Sequence, residues 1–249
     1  MKWHVVVDAL KPYIVKIETP SGHGTGFLFF YNEDKSLCGI ATAHHVISDI
    51  DEWQQPMRIR HHASGKVDLF KQDERFIFGD ADSDSAVILI PSGIFDFPAE
   101  PIPLLESGKV LKIGVEVGWL GFPALEPRTP CFFCGNISAR QKESHSYLID
   151  GVAINGVSGG PVFDADDKNK PRIIGSISAY IANRARGDSL PGLAVARDVS
   201  HFHDIAKHIK SIDEANRKKQ ELEKQIPPPD SPELEEAPEG IGVPPEVTG

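Results

Sequence analysis

Apolar residues from position 11 to about position 198 recur in short runs of strand length. Tyr13–Ile17 alternates between apolar and polar side chains, whereas Ala86–Ile90 is continuously apolar. Clusters of Gly, Pro, Asn and Asp separate the runs, as at Pro20–Gly22 and Asn32–Asp34. This spacing predicts many short strands and favours a β-barrel or sandwich over alternating strands and helices. Further predicted strands are Gly26–Phe30, Val115–Trp119, Ser146–Ile149, Arg172–Ser178 and Gly192–Val195.

The pattern changes after Asp198, where apolar residues recur at helical intervals. The segment that follows Ile212 is mostly charged. We therefore predict a helix over 199–226 whose first half packs on the protein and whose second half is solvated. Asp198 or Ser200 is expected to cap its start. The apolar positions are Val199, Phe202, Ile205, Ala206, Ile209 and Ile212.

The last segment, 227–249, has the composition of a disordered tail. It holds seven prolines and six acidic residues and contains neither Lys nor Arg. Such a segment cannot bury enough apolar surface to offset its chain entropy. A solubilising acidic tail is expected, with a docking motif as the alternative.

Composition excludes several classes of protein. The 249 residues include 26 Lys and Arg against 36 Asp and Glu, a net charge of -10, which disfavours a general nucleic-acid binder. No apolar run approaches the roughly 18–20 residues that span a membrane, and the N-terminus lacks the pattern of a secretory signal. Three cysteines fit a reducing compartment, so we expect a cytoplasmic protein. The lone pair Cys131 and Cys134 is expected to be two buried thiols, and no metal site is predicted.

One local motif points to acyl-transfer chemistry. In Gly156-Val-Ser158-Gly-Gly-Pro161, glycines flank a serine that can stand exposed in a tight turn. Glycine also permits backbone angles that aim neighbouring N–H groups at one point, where they can stabilise an oxyanion. Taken alone, the segment could equally be an ordinary loop.

Two further motifs supply a base and a carboxylate. Ala41–Val46 contains the adjacent histidines His44 and His45, and Asp82 and Asp84 precede the apolar strand. A serine hydroxyl is a poor nucleophile until an imidazole takes its proton, and a carboxylate can orient that imidazole. Alone, the histidines could be structural and the aspartates could be turn residues.

Together, these motifs resemble the trypsin-like peptidases of bacteria, in the style of the HtrA/DegP protease domains but without a PDZ domain. The order His, Asp, Ser is that of chymotrypsin-type enzymes. The resemblance runs from about residue 12 to residue 198. The segments that carry it are Gly24–Phe27, Thr42–Val46, Asp84–Val87, Gly156–Pro161 and Gly192–Val195.

The resemblance implies an all-β, chymotrypsin-like fold of two antiparallel Greek-key β-barrels. Residues 1–100 would form the barrel with the histidine and aspartate, and residues 101–198 the barrel with the serine and the oxyanion hole. The helix 199–226 and the disordered tail 227–249 would follow. Val157 stands where animal digestive enzymes carry an aspartate, so their zymogen activation is not expected.

The family pattern selects His45 rather than His44 as general base and Asp84 rather than Asp82 as its orienting carboxylate. Ser158 would be the nucleophile, and the N–H groups of Gly156 and Ser158 would form the oxyanion hole.

The resemblance also implies a substrate-binding strand. Ser178 would support the aspartate, and Ser178, Ala179 and Tyr180 would pair with an extended peptide. Alternatively, this segment is an ordinary core strand. Val152 and Ala153 suggest an apolar primary pocket, although the nearby Asp150 keeps a basic preference open.

We therefore expect a serine endopeptidase that acts on protein or peptide substrates without a cofactor, in limited processing inside a bacterial cell. One alternative is a dormant protease switched on by a regulatory protein partner at the C-terminal helix. Another is a non-catalytic scaffold that acts through the helix and tail. No nucleic-acid or membrane partner is expected.

Overall fold

The chain forms two antiparallel sheets followed by a long helix, in a computed structural model. The structure describes residues 2–165, 170–183 and 190–225, so the predicted tail 227–249 lies outside the described residues. Residues up to Asp213 form one unit. A second unit begins at Glu214, and its residues up to Gln225 continue the last helix.

The N-terminal part contains seven strands and two α-helices. The strands lie in the order β5-β4-β1-β2-β3-β7-β6, and all neighbours are antiparallel. The elements are α1 (Trp3–Leu10), a 3-10 helix (Lys11–Tyr13), β1 (Ile14–Thr19), β2 (Gly22–Tyr31), β3 (Leu37–Thr42), α2 (His44–Glu52), β4 (Met57–His61), β5 (Val67–Phe70), a 3-10 helix (Gln72–Glu74), β6 (Phe76–Asp80) and β7 (Ser85–Pro91).

The edge strands of this sheet, β5 and β6, are joined by the short segment 71–75, so the sheet curls until its two edges approach each other. Buried Arg75 stands at the junction and donates hydrogen bonds to the backbone oxygens of Phe70, Ile50 and Gln55. The Arg75 side chain thus satisfies the last carbonyl of β5 and two carbonyls outside the sheet. The first sheet is thus a curled half-barrel.

The second sheet closes into a six-stranded antiparallel barrel in the order β10-β13-β12-β11-β8-β9. Its strands are β8 (Glu116–Gly121), β9 (Cys131–Gln141), β10 (Ser146–Asp150), β11 (Pro161–Ala165), β12 (Pro171–Asn183) and β13 (Leu190–Asp198), and α3 (Ser200–Gln225) follows. The predicted all-β class and the C-terminal helix are confirmed. The helices α1 and α2 are additions to the predicted elements.

Side-chain alternation along the strands places two cores on the two faces of the first sheet. Leu28 packs with Ile40 and Ile59 in a core inside the curled sheet. Its neighbour Phe27 packs instead in a larger core that contains Trp119 of the second barrel. Successive residues of a strand point to opposite faces, so β2 serves both cores and joins the two sheets.

The first half of α3 docks on the protein as predicted. Phe202 is fully buried, and its ring centroid lies 6.0 Å from that of Phe27 and 5.5 Å from that of Phe29. Of the two predicted caps, Asp198 fills the role, since its Oδ1 accepts the N–H of Ser200 at 3.0 Å. Further along the helix, the side chain of Leu222 is 63% exposed.

The expectation of two buried thiols in β9 is wrong for Cys134, which is exposed, and Cys131 is only partly buried. The two aromatic residues between them provide the packing instead. Phe133 stacks on Trp119 at 6.0 Å, and Phe132 lies 5.3 Å from Trp3. All three cysteines are unpaired, and no helix in the described ranges is both long and apolar enough to cross a membrane.

Truncation of Phe202 tests how firmly α3 is docked. Removal of a buried aromatic ring leaves a cavity, so Phe202→Ala is expected to lower the free energy of unfolding by about 3–5 kcal/mol. Leu222→Ala, an exposed site on the same helix, is the control and should change it by less than about 0.5 kcal/mol. Urea unfolding followed by circular dichroism measures both, and equal effects would contradict the docking.

Candidate active site

His45 stands in the first turn of α2, directly after β3, with its side chain half exposed. The N-cap residue, Ala43, has no side-chain acceptor for the N–H groups of this turn. Oδ1 of Asp84 accepts the N–H of His45 at 3.0 Å, and the same carboxylate lies 2.9 Å from Nδ1 of the ring. This double contact assigns a proton to Nδ1, so Nε2 is left free to accept one.

Asp84 occupies the turn between β6 and β7 in a left-handed conformation, with φ at 46°. Its N–H closes the turn on the backbone oxygen of Ala81. The hydroxyl of Ser178 donates to Oδ2 at 2.5 Å, so the hydrogen bond expected between these residues is present. The carboxylate therefore accepts hydrogen bonds from the first sheet through His45 and from the second barrel through Ser178.

Two opposing effects act on the carboxyl group of Asp84. Burial raises its pKa, because a charge loses solvation inside a protein. The hydrogen bonds from His45 and Ser178 lower the pKa, and together they outweigh burial, so the net pKa lies below the ordinary value of an aspartate. The group is thus held as a carboxylate although its side chain is only 16% exposed.

The neighbouring candidates, His44 and Asp82, lie outside this arrangement. The ring of His44 packs against β6, where a Cβ on Gly79 would lie 2.7 Å from its Cδ2. Asp82 is exposed, and its N–H donates to Oδ1 of Asp80. Neither side chain contacts Ser178 or Asp84 in any hydrogen bond of the described residues.

Ser158 lies in a loop whose backbone is largely fixed by hydrogen bonds. The N–H groups of Val157, Gly159 and Gly160 each donate to a backbone oxygen. By contrast, the N–H groups of Gly156 and Ser158 have no partner within the described residues. Gly156 and Gly159 have φ values of 92° and 80°, which residues with a Cβ rarely adopt. The loop therefore presents two unused donors beside the serine.

Ser158 and His45 line the same two clefts. The first has a volume of about 220 Å³, and His23, Asn155 and Gly156 also line it. The second has a volume of about 150 Å³ and lies along β12. The residues that the sequence assigns to nucleophile and base are thus brought to one surface, although they belong to different sheets.

The second cleft contains most of the predicted substrate-binding residues. Ala153 and the stretch Ser178, Ala179 and Tyr180 line it. Val152 does not, and its side chain is 48% exposed instead. Ile154 and Asn155, which follow Ala153 in the turn, also line the cleft. Ile177 of β12 lines it as well.

The edge of β12 that faces this cleft has room for another strand. On one side, β12 pairs with β13 along most of its length. On the other side, β11 reaches only to Ser176, and the loop residues Gly159 and Gly160 bond to Ile177. Beyond Ile177, the described strands offer no partner on that side.

Two further residues at the site carry no assignment from the sequence. Thr25 is fully buried and bonds to Gly156, and Nε2 of His23 donates to the backbone oxygen of Phe122 at 3.0 Å. Thr25 belongs to the segment Gly24–Phe27 that contributes to the family resemblance. The sequence therefore marks this residue as part of the family pattern but does not indicate what its side chain does.

Another cavity, of about 300 Å³, is lined in part by Asp82, Ser83 and Ser85, the neighbours of Asp84 in its turn. Its lining also includes Asp80, Asp198 and His201, and it contains neither Ser158 nor His45. We assign the site by the placement of chemically reactive groups rather than by cavity size. Within the described ranges, no group of three or more His, Cys, Asp or Glu residues is placed to hold a metal ion.

Comparison with known proteins identifies the family. No curated protein matches the sequence. Among solved structures, the crystal structure of the serine endoprotease from Yersinia pestis superposes with a TM-score of 0.61 at 18% identity, covering 85% of this chain and 67% of that one. This likeness shows the chymotrypsin-like fold. The sequence model of the trypsin-like peptidase domain matches residues 24–169. The chain therefore belongs to the family of trypsin-like peptidase domains.

Proposed function

We propose that this protein is a serine endopeptidase that hydrolyses peptide bonds through an acyl-enzyme. The observation that carries the proposal is the position of His45, whose Nδ1 is bound to Asp84 while its ring lines the clefts that contain Ser158. The N–H groups of Gly156 and Ser158, which bond to none of the described residues, add the means to stabilise an oxyanion.

The reaction uses these groups in two stages. Nε2 of His45 takes the hydroxyl proton as Oγ of Ser158 bonds to the carbonyl carbon, and the carbonyl electron pair moves onto the oxygen. The N–H groups of Gly156 and Ser158 stabilise this oxyanion. When the C–N bond breaks, the proton passes from His45 to the leaving amine. Water, activated by His45, then adds to the acyl-enzyme and releases the acid.

Asp84 holds the histidine in the tautomer that this sequence requires. Its carboxylate binds the Nδ1 proton and stabilises the imidazolium that forms during each proton transfer. The depressed pKa keeps the group charged at neutral pH. We assign Ser178 the role of supporting this carboxylate through its 2.5 Å hydrogen bond.

We propose that an extended peptide adds to the unpaired edge of β12 at Ala179 and Tyr180. Its side chain before the scissile bond would enter the cleft of about 150 Å³ beside Ala153 and Ile177. Apart from His45, the residues lining this cleft are uncharged, and the exposed Asp150 is not among them. These features support a preference for small apolar side chains.

The compartment and control of the protein are further proposals. Three unpaired cysteines support a reducing compartment such as the cytoplasm. As an alternative mode of action, a partner that binds the exposed, charged second half of α3 would switch the protease on, or the chain would act as a scaffold. Activity of the isolated chain would exclude both alternatives.

Labelling of the serine tests the nucleophile. A fluorophosphonate probe bonds covalently to an activated serine, so it should label the wild-type protein and not Ser158→Ala. Ser92→Ala, whose hydroxyl bonds to Lys35 away from both clefts, is the control and should label normally. Equal labelling of all three proteins on a gel would contradict the assignment of Ser158.

Asp84→Asn tests the orienting carboxylate. An amide favours the wrong histidine tautomer, so kcat should fall by about 10⁴ while the fold persists. Peptide hydrolysis measures the rate, and a kcat within tenfold of the wild type would count against the assigned role.

The same variant tests the pKa of Asp84. A depressed folded-state pKa gives stability that is full above the ordinary aspartate pKa and is lost as pH falls through the folded-state pKa. The wild type should thus exceed Asp84→Asn in free energy of unfolding at neutral pH, and the difference should shrink below about pH 4. Urea titrations at several pH values measure it; a difference that is constant with pH would refute the depressed pKa.

Substrate preference follows from the cleft lining. Peptides with Ala or Val before the scissile bond should have kcat/KM at least about tenfold above those with Arg, since an Arg charge would be buried without a partner. A matched peptide series that differs only at this residue provides the measurement. Faster cleavage after Arg would show that Asp150, rather than the apolar lining, sets specificity.

A further inference from the structure

Thr25 is a buried residue of β2 whose hydroxyl contacts the nucleophile loop of the opposite barrel. Its side chain has no exposed surface. Oγ1 donates to the backbone oxygen of Gly156 at 2.9 Å and accepts the N–H of Phe122 at 3.0 Å. The hydroxyl thus uses both its donor and an acceptor site, and each bond reaches across the interface between the two sheets.

The backbone of the same residue holds a second point of the loop. The N–H of Thr25 donates to the backbone oxygen of Ser158 at 2.8 Å. Thr25 therefore binds the carbonyl groups of both Gly156 and Ser158. The N–H of Ser158, one of the two unused donors, lies on the chain between these two fixed carbonyls.

Backbone hydrogen bonds fix much of the loop, whereas the carbonyl of Gly156 is held by the Thr25 side chain. Gly156 has a φ of 92°, and glycine has the greatest backbone freedom of any residue. A Cβ at Gly156 would lie 2.3 Å from the backbone oxygen of Phe122 and 2.5 Å from Nε2 of His23. Because no side chain fits there, the peptide groups on either side of Gly156 are oriented by hydrogen bonds from neighbours. The N–H of Ala124 binds the carbonyl of Asn155 at 2.7 Å, and the Thr25 hydroxyl binds the carbonyl of Gly156.

We propose that the Thr25 hydroxyl is a positioning residue that aims the N–H groups of Gly156 and Ser158 at the reacting oxygen. This inference rests on the proposed function, since it concerns the oxyanion of the same acyl-transfer reaction. Loss of the hydroxyl frees the Gly156 carbonyl, so the N–H groups of Gly156 and Ser158 no longer point at the same atom. A displacement of this kind weakens binding of the transition state more than binding of the substrate.

The test compares Thr25→Val, which keeps the shape but loses the hydroxyl, with Thr25→Ser, which keeps the hydroxyl. Thr25→Cys offers a weaker donor in the same space. Each is assayed for kcat and KM and for the ratio of inhibition constants of a peptidyl alcohol and the matching peptidyl aldehyde. Only the aldehyde accepts Oγ of Ser158 at its carbon, with the hydroxyl proton passing to His45, and creates an oxyanion.

For Thr25→Val, we expect kcat to fall roughly tenfold to hundredfold with little change in KM. The ratio of inhibition constants should fall in parallel, and Thr25→Ser should restore both. If Thr25→Val does not fold, Thr25→Cys should still show a lower ratio than Thr25→Ser.

Thr42→Val is the matched control. Thr42 is also fully buried, and its hydroxyl donates at 2.8 Å to the backbone oxygen of Thr25 rather than to the nucleophile loop. It should lower the melting temperature while the ratio of inhibition constants stays near the wild-type value.

Each outcome separates this inference from the proposed function. If the wild type cleaves peptides but Thr25→Val keeps its ratio, or Thr25→Cys equals Thr25→Ser, the positioning role is wrong and the protease assignment stands. An equal fall of the ratio in Thr42→Val would also overturn the role, because general loosening would explain both. If the wild type neither cleaves peptides nor binds the aldehyde more tightly than the alcohol, the proposed function fails first.

Discussion

The geometry of the candidate active site depends on hydrogen bonds that cross between the two sheets. The candidate base and carboxylate belong to the curled first sheet, and the candidate nucleophile belongs to the second barrel. Two side chains connect them directly: Thr25 holds the loop of Ser158, and Ser178 holds Asp84. Both bonds are shielded from water, where a broken hydrogen bond leaves unsatisfied groups and is costly. The interface therefore tolerates only a narrow range of relative positions of His45 and Ser158.

A second constraint is the largely buried negative charge of Asp84. Burial alone would favour the neutral carboxylic acid, which cannot stabilise an imidazolium. The backbone and ring of His45 and the hydroxyl of Ser178 supply enough donors to keep the charge. The bond from the backbone N–H of His45 also caps the first turn of α2. The Asp84 carboxylate thus caps α2, orients the ring of His45 and supplies the negative charge beside that ring. Its replacement should therefore affect both stability and catalysis.

The strands and the motifs of the candidate site both leave local signals in the sequence. The run Ala86–Ile90 is contained in β7. The family pattern selects His45, Asp84 and Ser158, and the structure places His45 beside Asp84 and in one cleft with Ser158. Contacts between distant residues leave no such signal: Thr25 meets a loop 131 positions away. Val152 lies outside the lining of the second cleft for a related reason, since the turn geometry, rather than the distance along the chain from Ser158, decides which side chain enters the cleft.

Trapping the covalent intermediate tests the central claim most directly. The protein is mixed with p-nitrophenyl acetate, quenched in acid within the first turnover and digested for mass spectrometry. The proposal predicts a burst of nitrophenol and one acetyl group on the peptide that contains Ser158, with neither in Asp84→Asn on the same timescale. An acetyl group found only elsewhere, or product release without any acylated peptide, would contradict an acyl-enzyme at Ser158.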